Sequence, residues 1–265
     1  MKERGETGWR TDPRLRQTRT ILLNAGDPEK KRAEIRQYFH DTYAIDESLL
    51  EMLRYDGTFY RRADPLRHPL IFYFGHTAVF YINKLMLAKL VDRRLNPTYE
   101  SMFAVGVDEM SWDDLNEEHY DWPPVAEVQS YRDHVRDVVD ELIRTMPLEM
   151  PITWDSPWWV IMMGIEHARI HLETSSVLIR QLPIEHVRPH PLWEICPQSG
   201  TAPENELIPV AAGRVVIGKD KDHPLYGWDN EFGTHVEEVK GFLASRYLVS
   251  NREFLEFVEG AGYTT

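Results

Sequence analysis

Two histidines four residues apart, His167 and His171, have the type and spacing best suited to metal chemistry in this sequence. On a helix, residues four apart lie one turn above each other, so both imidazoles can reach one ion. His-x-x-x-His pairs in zinc enzymes use this geometry. A third ligand must come from another segment, and His76 is the candidate because it interrupts an otherwise apolar helical face. The pattern predicts a metal site formed by His76, His167 and His171, the alternative being three ordinary histidines.

Glu173 extends the pair to His-x-x-x-His-x-Glu and invites its inclusion as a carboxylate ligand. On an unbroken helix, however, Glu173 lies roughly 200° around the axis from His171 and roughly 120° from His167. We therefore expect Glu173 to face away from the metal. Three imidazoles leave coordination positions open, which is typical of catalytic sites, but they suit zinc, iron, copper and nickel alike. Cys196 lies in a Pro-rich connection without an obvious base, so we do not expect it to be a nucleophile.

Helices must position these ligands, and apolar periodicity predicts several of them. The first predicted helix is 28–41, with Asp27 as N-cap, and a short one follows from Asp46 to about Arg54, again with an acidic cap. The others are 69–92, which ends before Asn96-Pro97, 125–146, and 157–181 with Ser156 as N-cap. The predicted apolar face of 69–92 contains Phe72, His76, Val79, Phe80, Asn83, Leu87 and Leu90, and that of 125–146 contains Val128, Tyr131, Val135, Val138, Leu142 and Met146. Residues 97–124 show no period, and the acidic stretch 106–122 predicts a long loop, either a lid or a solvated connection. We expect the remaining histidines that we considered to lie at the surface: His119, His134, His186, His190, His223 and His235.

Composition shifts divide the chain into a polar arm (1–24), a helical bundle (25–190), a Pro-rich linker (191–206) and a segment with strand patterns (207–265). The last segment also contains a helix with the capping box Ser250-x-x-Glu253.

The formal net charge of -13 argues against nucleic acid and an anionic membrane surface as partners. The single cysteine excludes an internal disulfide and fits a reducing compartment. We see no run of 18 or more apolar residues and no apolar core of a signal peptide. We therefore expect a soluble, cytoplasmic protein.

Several stretches resemble known families. FGHTAVFYINKL and MGIEHARIHLETSSVLIRQLP are similar to the DinB-like helical domain of iron-dependent sulfoxide synthases. IPVAAGRVVIG, YGWDNEFG and YLVSNREFLEFVEGAGY resemble the beginning of a formylglycine-generating-enzyme-like domain. The resemblance implies a multidomain α plus α+β protein, in which a DinB-like four-helix bundle precedes the start of a sulfatase-modifying (C-type-lectin-like) domain.

Within this group, HLETSSVLIRQLP and YGWDNEFG are most similar to the ovothiol branch. The resemblance implies Fe(II) bound by His76, His167 and His171, with O2 as co-substrate. It implies coupling of the cysteine thiol to the imidazole carbon of histidine, which gives a sulfoxide. The family's second domain continues further and supplies an active-site tyrosine. We therefore expect most of that domain to be missing from this chain, no catalytic residue here beyond the metal ligands, and no independent activity.

Three alternatives stay open. The ergothioneine branch of the same family acts on trimethylhistidine instead of histidine. A DinB-like zinc or nickel thiol transferase would need no second domain. A non-catalytic binding module would need no metal.

Overall fold

The computed structural model describes residues 3–105 and 120–264. The chain divides into two compact units, Met1–Glu194 with Asp222–Tyr226, and Ile195–Lys221 with Gly227–Thr265. The sequence-based domain bounds remain a prediction. Most of the predicted acidic loop, and His119 with it, lies outside the described residues.

The first unit is helical. Its helices are α1 (Pro28–Leu50), α2 (Leu70–Leu87), α3 (Pro97–Met102), α4 (Val125–Thr145) and α5 (Trp158–Gln181). The helices α1 and α2 each pack against both α4 and α5, which closes a four-helix bundle. Apolar residues of all four helices fill its centre, as the binary pattern predicts.

Helix α1 is longer than predicted. Asp27 caps it by accepting a hydrogen bond from the backbone N–H of Lys30 at 3.0 Å, as expected. The predicted break between residues 41 and 46 is wrong, because no glycine or proline interrupts the helix there. Asp46, the predicted N-cap of a second helix, is instead buried in the middle of α1's C-terminal half, where it pairs with Arg132.

Helix α2 is shorter than predicted and buried on nearly every side. It ends at Leu87, followed by Lys89 in the left-handed region with φ of 58°. The prediction that it continues to residue 92 is therefore wrong, and Leu87 is exposed rather than part of the apolar face. By length and composition α2 could cross a membrane, contrary to our expectation that no segment passes this test. However, 72% of that segment is buried inside the protein, as is typical of a core helix.

The region between α2 and α4 is partly helical. Asn96, expected to mark a stop, caps α3 by accepting from the N–H of Tyr99 at 3.1 Å. On α4 the buried face contains Val139 and Ile143 in place of the predicted Val138 and Leu142. This shift brings Arg132 into the core.

Helix α5 approaches α2 closely at Gly164. A Cβ built there would lie 2.1 Å from the Tyr81 ring. Gly164 precedes His167 by three residues, so this contact sets the distance between the two helices near the histidines. Ser156, the predicted N-cap, accepts from the N–H of Trp158 at 3.3 Å, and the helix begins one residue later than predicted.

We predict that Gly164→Ala lowers the free energy of unfolding by about 1–3 kcal/mol, because the added methyl group overpacks the α2–α5 contact. The better helix propensity of alanine, about 1 kcal/mol, offsets only part of this cost. Urea denaturation measures the change. Gly5→Ala is the matched control, since a Cβ there meets only the Thr7 nitrogen at 4.0 Å. Equal stability of the two variants would contradict the overpacking argument.

The second unit contains two antiparallel strand pairs and one helix. β1 (Leu207–Val210) pairs with β4 (Phe242–Ser245), and β2 (Gly213–Ile217) pairs with β3 (His235–Val239). The helix α6 (Asn251–Glu259) begins at the predicted capping box, with both the Ser250 and Glu253 side chains engaged. A small sheet region therefore follows the helical domain.

Candidate metal centre

Three histidine side chains meet between α2 and α5 inside the bundle. The Nε2 atom of His167 lies 3.1 Å from Nε2 of His76 and 3.1 Å from Nε2 of His171. One nitrogen from each histidine lies within 4.8 Å of the other two, and all three residues are buried. The structure thus brings together all three histidines that the sequence predicted as metal ligands, and no others among the described residues form such a group.

A backbone carbonyl fixes the orientation of His76. Its Nδ1 donates to the oxygen of Phe103, just after α3, at 2.6 Å. A Cβ built on Gly75 would lie 2.5 Å from the Phe103 ring, so glycine is what allows Phe103 to approach α2 this closely. Because the proton of the neutral imidazole is on Nδ1, Nε2 presents its lone pair to the other histidines. Phe103 was not predicted from the sequence as a partner of His76.

The two histidines of α5 are also held in place. The Phe80 ring stacks on His167 with 3.6 Å between centroids and 7° between planes. His171 has the Thr174 hydroxyl 3.5 Å from Nδ1 and the Tyr73 ring at 5.8 Å between centroids. These contacts leave the Nε2 atoms directed at one another.

Burial keeps the α5 histidines neutral. Desolvation, together with the smaller effect of the neighbouring His76, lowers the pKa of His171 to about 3. Desolvation, followed by the charges that His171 and His76 would carry, lowers the pKa of His167 even more strongly. At neutral pH both imidazoles therefore have a free lone pair, the form that binds a metal.

One cation would satisfy the three Nε2 atoms better than hydrogen bonds among them do. With His76 Nε2 unprotonated, one proton on His167 Nε2 could bridge to it. The same proton cannot also be well aligned with His171 Nε2 on the other side. A cation among the three lone pairs would satisfy all of them at once. The residues present therefore fit a metal ion.

Other candidate residues lie apart from this group. Glu173 is exposed and contributes no atom to it, in keeping with the helical angle. Cys196 is exposed as well. The expectation that His186 and His190 lie at the surface is wrong, because both are buried with partners. His186 Nδ1 is 3.0 Å from the Thr58 hydroxyl, and His190 Nε2 is 2.9 Å from Glu51.

A pocket of about 350 Å³ opens beside His171. Phe72, Tyr73 and Thr174 form the wall nearest the histidines, and Asp64 and Arg67 line it as well. Its volume lies within the usual range for small-molecule sites. A small ligand could therefore lie next to the three histidines.

The chain belongs to the DinB superfamily, whose sequence profile matches residues 26–175. This range contains all three histidines. The chain is 25% identical over 211 residues to Ergothioneine biosynthesis protein 1 of Neurospora crassa, covering 73% of this chain and 24% of the relative. It is 24% identical over 239 residues to the protein of the same name from Schizosaccharomyces pombe, covering 73% and 29% respectively. It is 26% identical over 226 residues to Hercynine oxygenase of Mycolicibacterium smegmatis, covering 82% and 49%. The chain thus spans between about a quarter and about half of the length of these relatives.

Proposed function

We propose that this chain supplies the iron(II) site of an O2-dependent enzyme that joins a thiol to the imidazole ring of a histidine derivative. The observation that carries the proposal is the convergence of three buried Nε2 atoms, with the tautomer of His76 fixed by the Phe103 carbonyl. The similarity to a hercynine oxygenase and to two ergothioneine biosynthesis proteins supports the reaction class.

The reaction has a simple balance. A thiol S–H and an imidazole C–H are lost, a C–S bond forms, one oxygen atom of O2 becomes the sulfoxide, and the other leaves as water. This uses the four electrons that full reduction of O2 requires. Bound iron would supply open coordination positions and the redox chemistry. Zinc could supply open positions but not the redox chemistry, because it has no accessible second oxidation state.

The protein's own residues position the reactants. His76, His167 and His171 would hold the metal through Nε2. The Phe103 carbonyl keeps the proton of His76 on the remote nitrogen, and the Phe80 ring covers one face of His167. Such outer contacts keep ligands in the geometry required for binding. The pocket beside His171 would bring a substrate next to the metal and lower the entropic cost of their encounter.

The imidazole substrate has two candidates. The names of the relatives favour hercynine, the trimethylated form of histidine, and thus the ergothioneine branch. Histidine itself, the expectation from sequence, is supported by the likeness of HLETSSVLIRQLP and YGWDNEFG to the ovothiol branch. We place hercynine first because the similarity to the relatives covers 73–82% of this chain, many more residues than those two motifs. We also propose that the strands and α6 of the second unit are the start of a sulfatase-modifying domain.

The test is an assay of the full-length protein after anaerobic loading with iron(II). It is supplied with cysteine and either hercynine or histidine, and products are identified by mass spectrometry. We expect a C–S-coupled sulfoxide that forms only with O2, and forms faster from hercynine. Faster coupling of histidine would restore the ovothiol branch. Turnover supported by zinc without O2 would refute the oxidative mechanism and favour a thiol transferase.

A further inference from the structure

The pocket beside His171 carries two opposite charges that the metal centre does not use. Asp64 and Arg67 lie in the short segment before α2 and both line the pocket. Asp64 Oδ1 accepts from the N–H of Leu66 at 2.7 Å, and this turn fixes the carboxylate. Among the described residues, no cation pairs with Asp64 and no carboxylate pairs with Arg67.

Tyr73 connects this charged region to the metal centre. Its ring lies beside His171, and its hydroxyl faces the Arg67 guanidinium and the backbone of His68. Burial raises the pKa of Tyr73, and Arg67 offsets part of that rise, so the phenol stays neutral at physiological pH. The pocket therefore runs from two separate, opposite charges, past a neutral phenol, to His171.

A ligand that satisfies this pocket needs a carboxylate for Arg67 and a hydrogen-bond-donating ammonium for Asp64. Arginine binds carboxylates through paired N–H groups. A free α-amino acid has both groups on one carbon. A trimethylated ammonium has no N–H to donate, so hercynine would leave the Asp64 carboxylate without a hydrogen bond. The pocket thus suits the thiol substrate rather than a trimethylated imidazole substrate.

We propose that Arg67 and Asp64 bind the α-carboxylate and α-ammonium of the thiol amino acid, cysteine, and so determine which thiol reaches the metal. This inference rests on the proposed function for the identity of the ligand. It assigns specificity to residues of the helical domain. The choice of the thiol over the imidazole substrate follows from hercynine as the second substrate, since histidine has the same free α-carboxylate and α-ammonium as cysteine.

Each charge can be tested with a thiol that lacks its counterpart. Cysteamine lacks the carboxylate of cysteine, and 3-mercaptopropionate lacks the ammonium. Binding of these three thiols to the iron-loaded, full-length protein is measured by anaerobic calorimetry, for the wild type, Arg67→Gln and Asp64→Asn. Arg61→Gln is the matched control, because Arg61 is exposed in the same segment and does not line the pocket.

We expect Arg67→Gln to weaken the binding of cysteine and of 3-mercaptopropionate by about 10- to 100-fold, the range for a hydrogen bond to a charged group. The affinity for cysteamine should change less than about twofold, since cysteamine has no carboxylate to contact Arg67. Asp64→Asn should weaken the binding of cysteine and cysteamine and leave the affinity for 3-mercaptopropionate unchanged. Equal effects on all three thiols, or none, would overturn the assignment.

Two further measurements separate this inference from the proposed function. Elemental analysis of each sample shows whether the chain holds iron, and absence of iron overturns the proposed function. S-methyl-L-cysteine, whose thioether is a poor metal ligand, tests the pocket without the metal. If S-methyl-L-cysteine binds the wild type, and both variants weaken that binding, the assignment of the pocket is supported whatever the metal content. Failure of wild-type protein to bind it or any of the three thiols would refute the pocket.

Discussion

Replacing His167 with alanine should remove stoichiometric iron from the protein. Nε2 of His167 lies 3.1 Å from both partner nitrogens, so it is the central donor of the three. Loss of an outer contact to a metal ligand typically costs 10- to 100-fold in affinity, and loss of the ligand itself should cost more. Iron measured by mass spectrometry after gel filtration should fall from about one atom per chain to background. The same result is expected for His76→Ala and His171→Ala.

Glu173→Gln provides the matched control for this experiment. Glu173 lies two residues after His171 on the same helix, but it is exposed and outside the group of convergent nitrogens. Its replacement should leave the iron content unchanged. Circular dichroism of all variants shows whether the bundle is folded. Retention of iron by folded His167→Ala, or its loss from Glu173→Gln, would show that the metal is bound elsewhere.

The grouping of the three histidines could be predicted because it depends on side-chain type and helical spacing. Two histidines one turn apart define a face of α5, and a third on an apolar face of α2 must point into the same core. The orientation of His76 could not be predicted in this way. Its partner is the backbone oxygen of Phe103, 27 residues away, and a carbonyl group leaves no trace in the sequence. Gly75, next to His76, was the one local indication of a close approach.

The errors in the predicted helices share a physical cause. Periodicity identifies apolar faces, but it does not detect buried charged groups. Asp46 was interpreted as a helix cap because acidic residues favour N-caps, although it lies in an unbroken helix. On α4 the C-terminal part of the apolar stripe was predicted one residue out of register, and the burial of Arg132 was not predicted. These two residues bind each other, and neither could be interpreted correctly without knowledge of the other.

The pair of Arg132 and Asp46 is part of a larger buried network. Arg132 is fully buried on α4 and donates to Asp46 Oδ2 at 2.9 Å and to Glu47 Oε1 at 3.2 Å, both on α1. It also donates to the carbonyl of Phe74 at 2.6 Å and to the Thr77 hydroxyl at 2.7 Å, on either side of His76 in α2. One guanidinium therefore joins three of the four bundle helices.

Arg132→Ala should lower the free energy of unfolding by about 3–5 kcal/mol, because it leaves buried carboxylates without their counter-ion. Burial already raises the pKa of Asp46 with Arg132 beside it, which shows how costly the unpaired charge would be. Urea denaturation measures the loss. Arg144→Ala is the control on the same helix, since Arg144 pairs with Glu141 at the exposed surface and should contribute less than about 1 kcal/mol.

A combined variant separates lost charge pairing from lost packing. Arg132→Met fills much of the same volume, and Asp46→Asn with Glu47→Gln removes the charges that it would otherwise strand. If unpaired carboxylates dominate the cost, the triple variant should be more stable than Arg132→Met alone, because replacing a whole buried ion cluster is often close to neutral. Glu47 also pairs with Arg10, which retains Glu51 as a partner in the triple variant. If the triple variant is instead no more stable than Arg132→Met, stranded carboxylates are not the main cost of removing Arg132. The loss is then due to its packing and to its hydrogen bonds to Phe74 and Thr77 of α2.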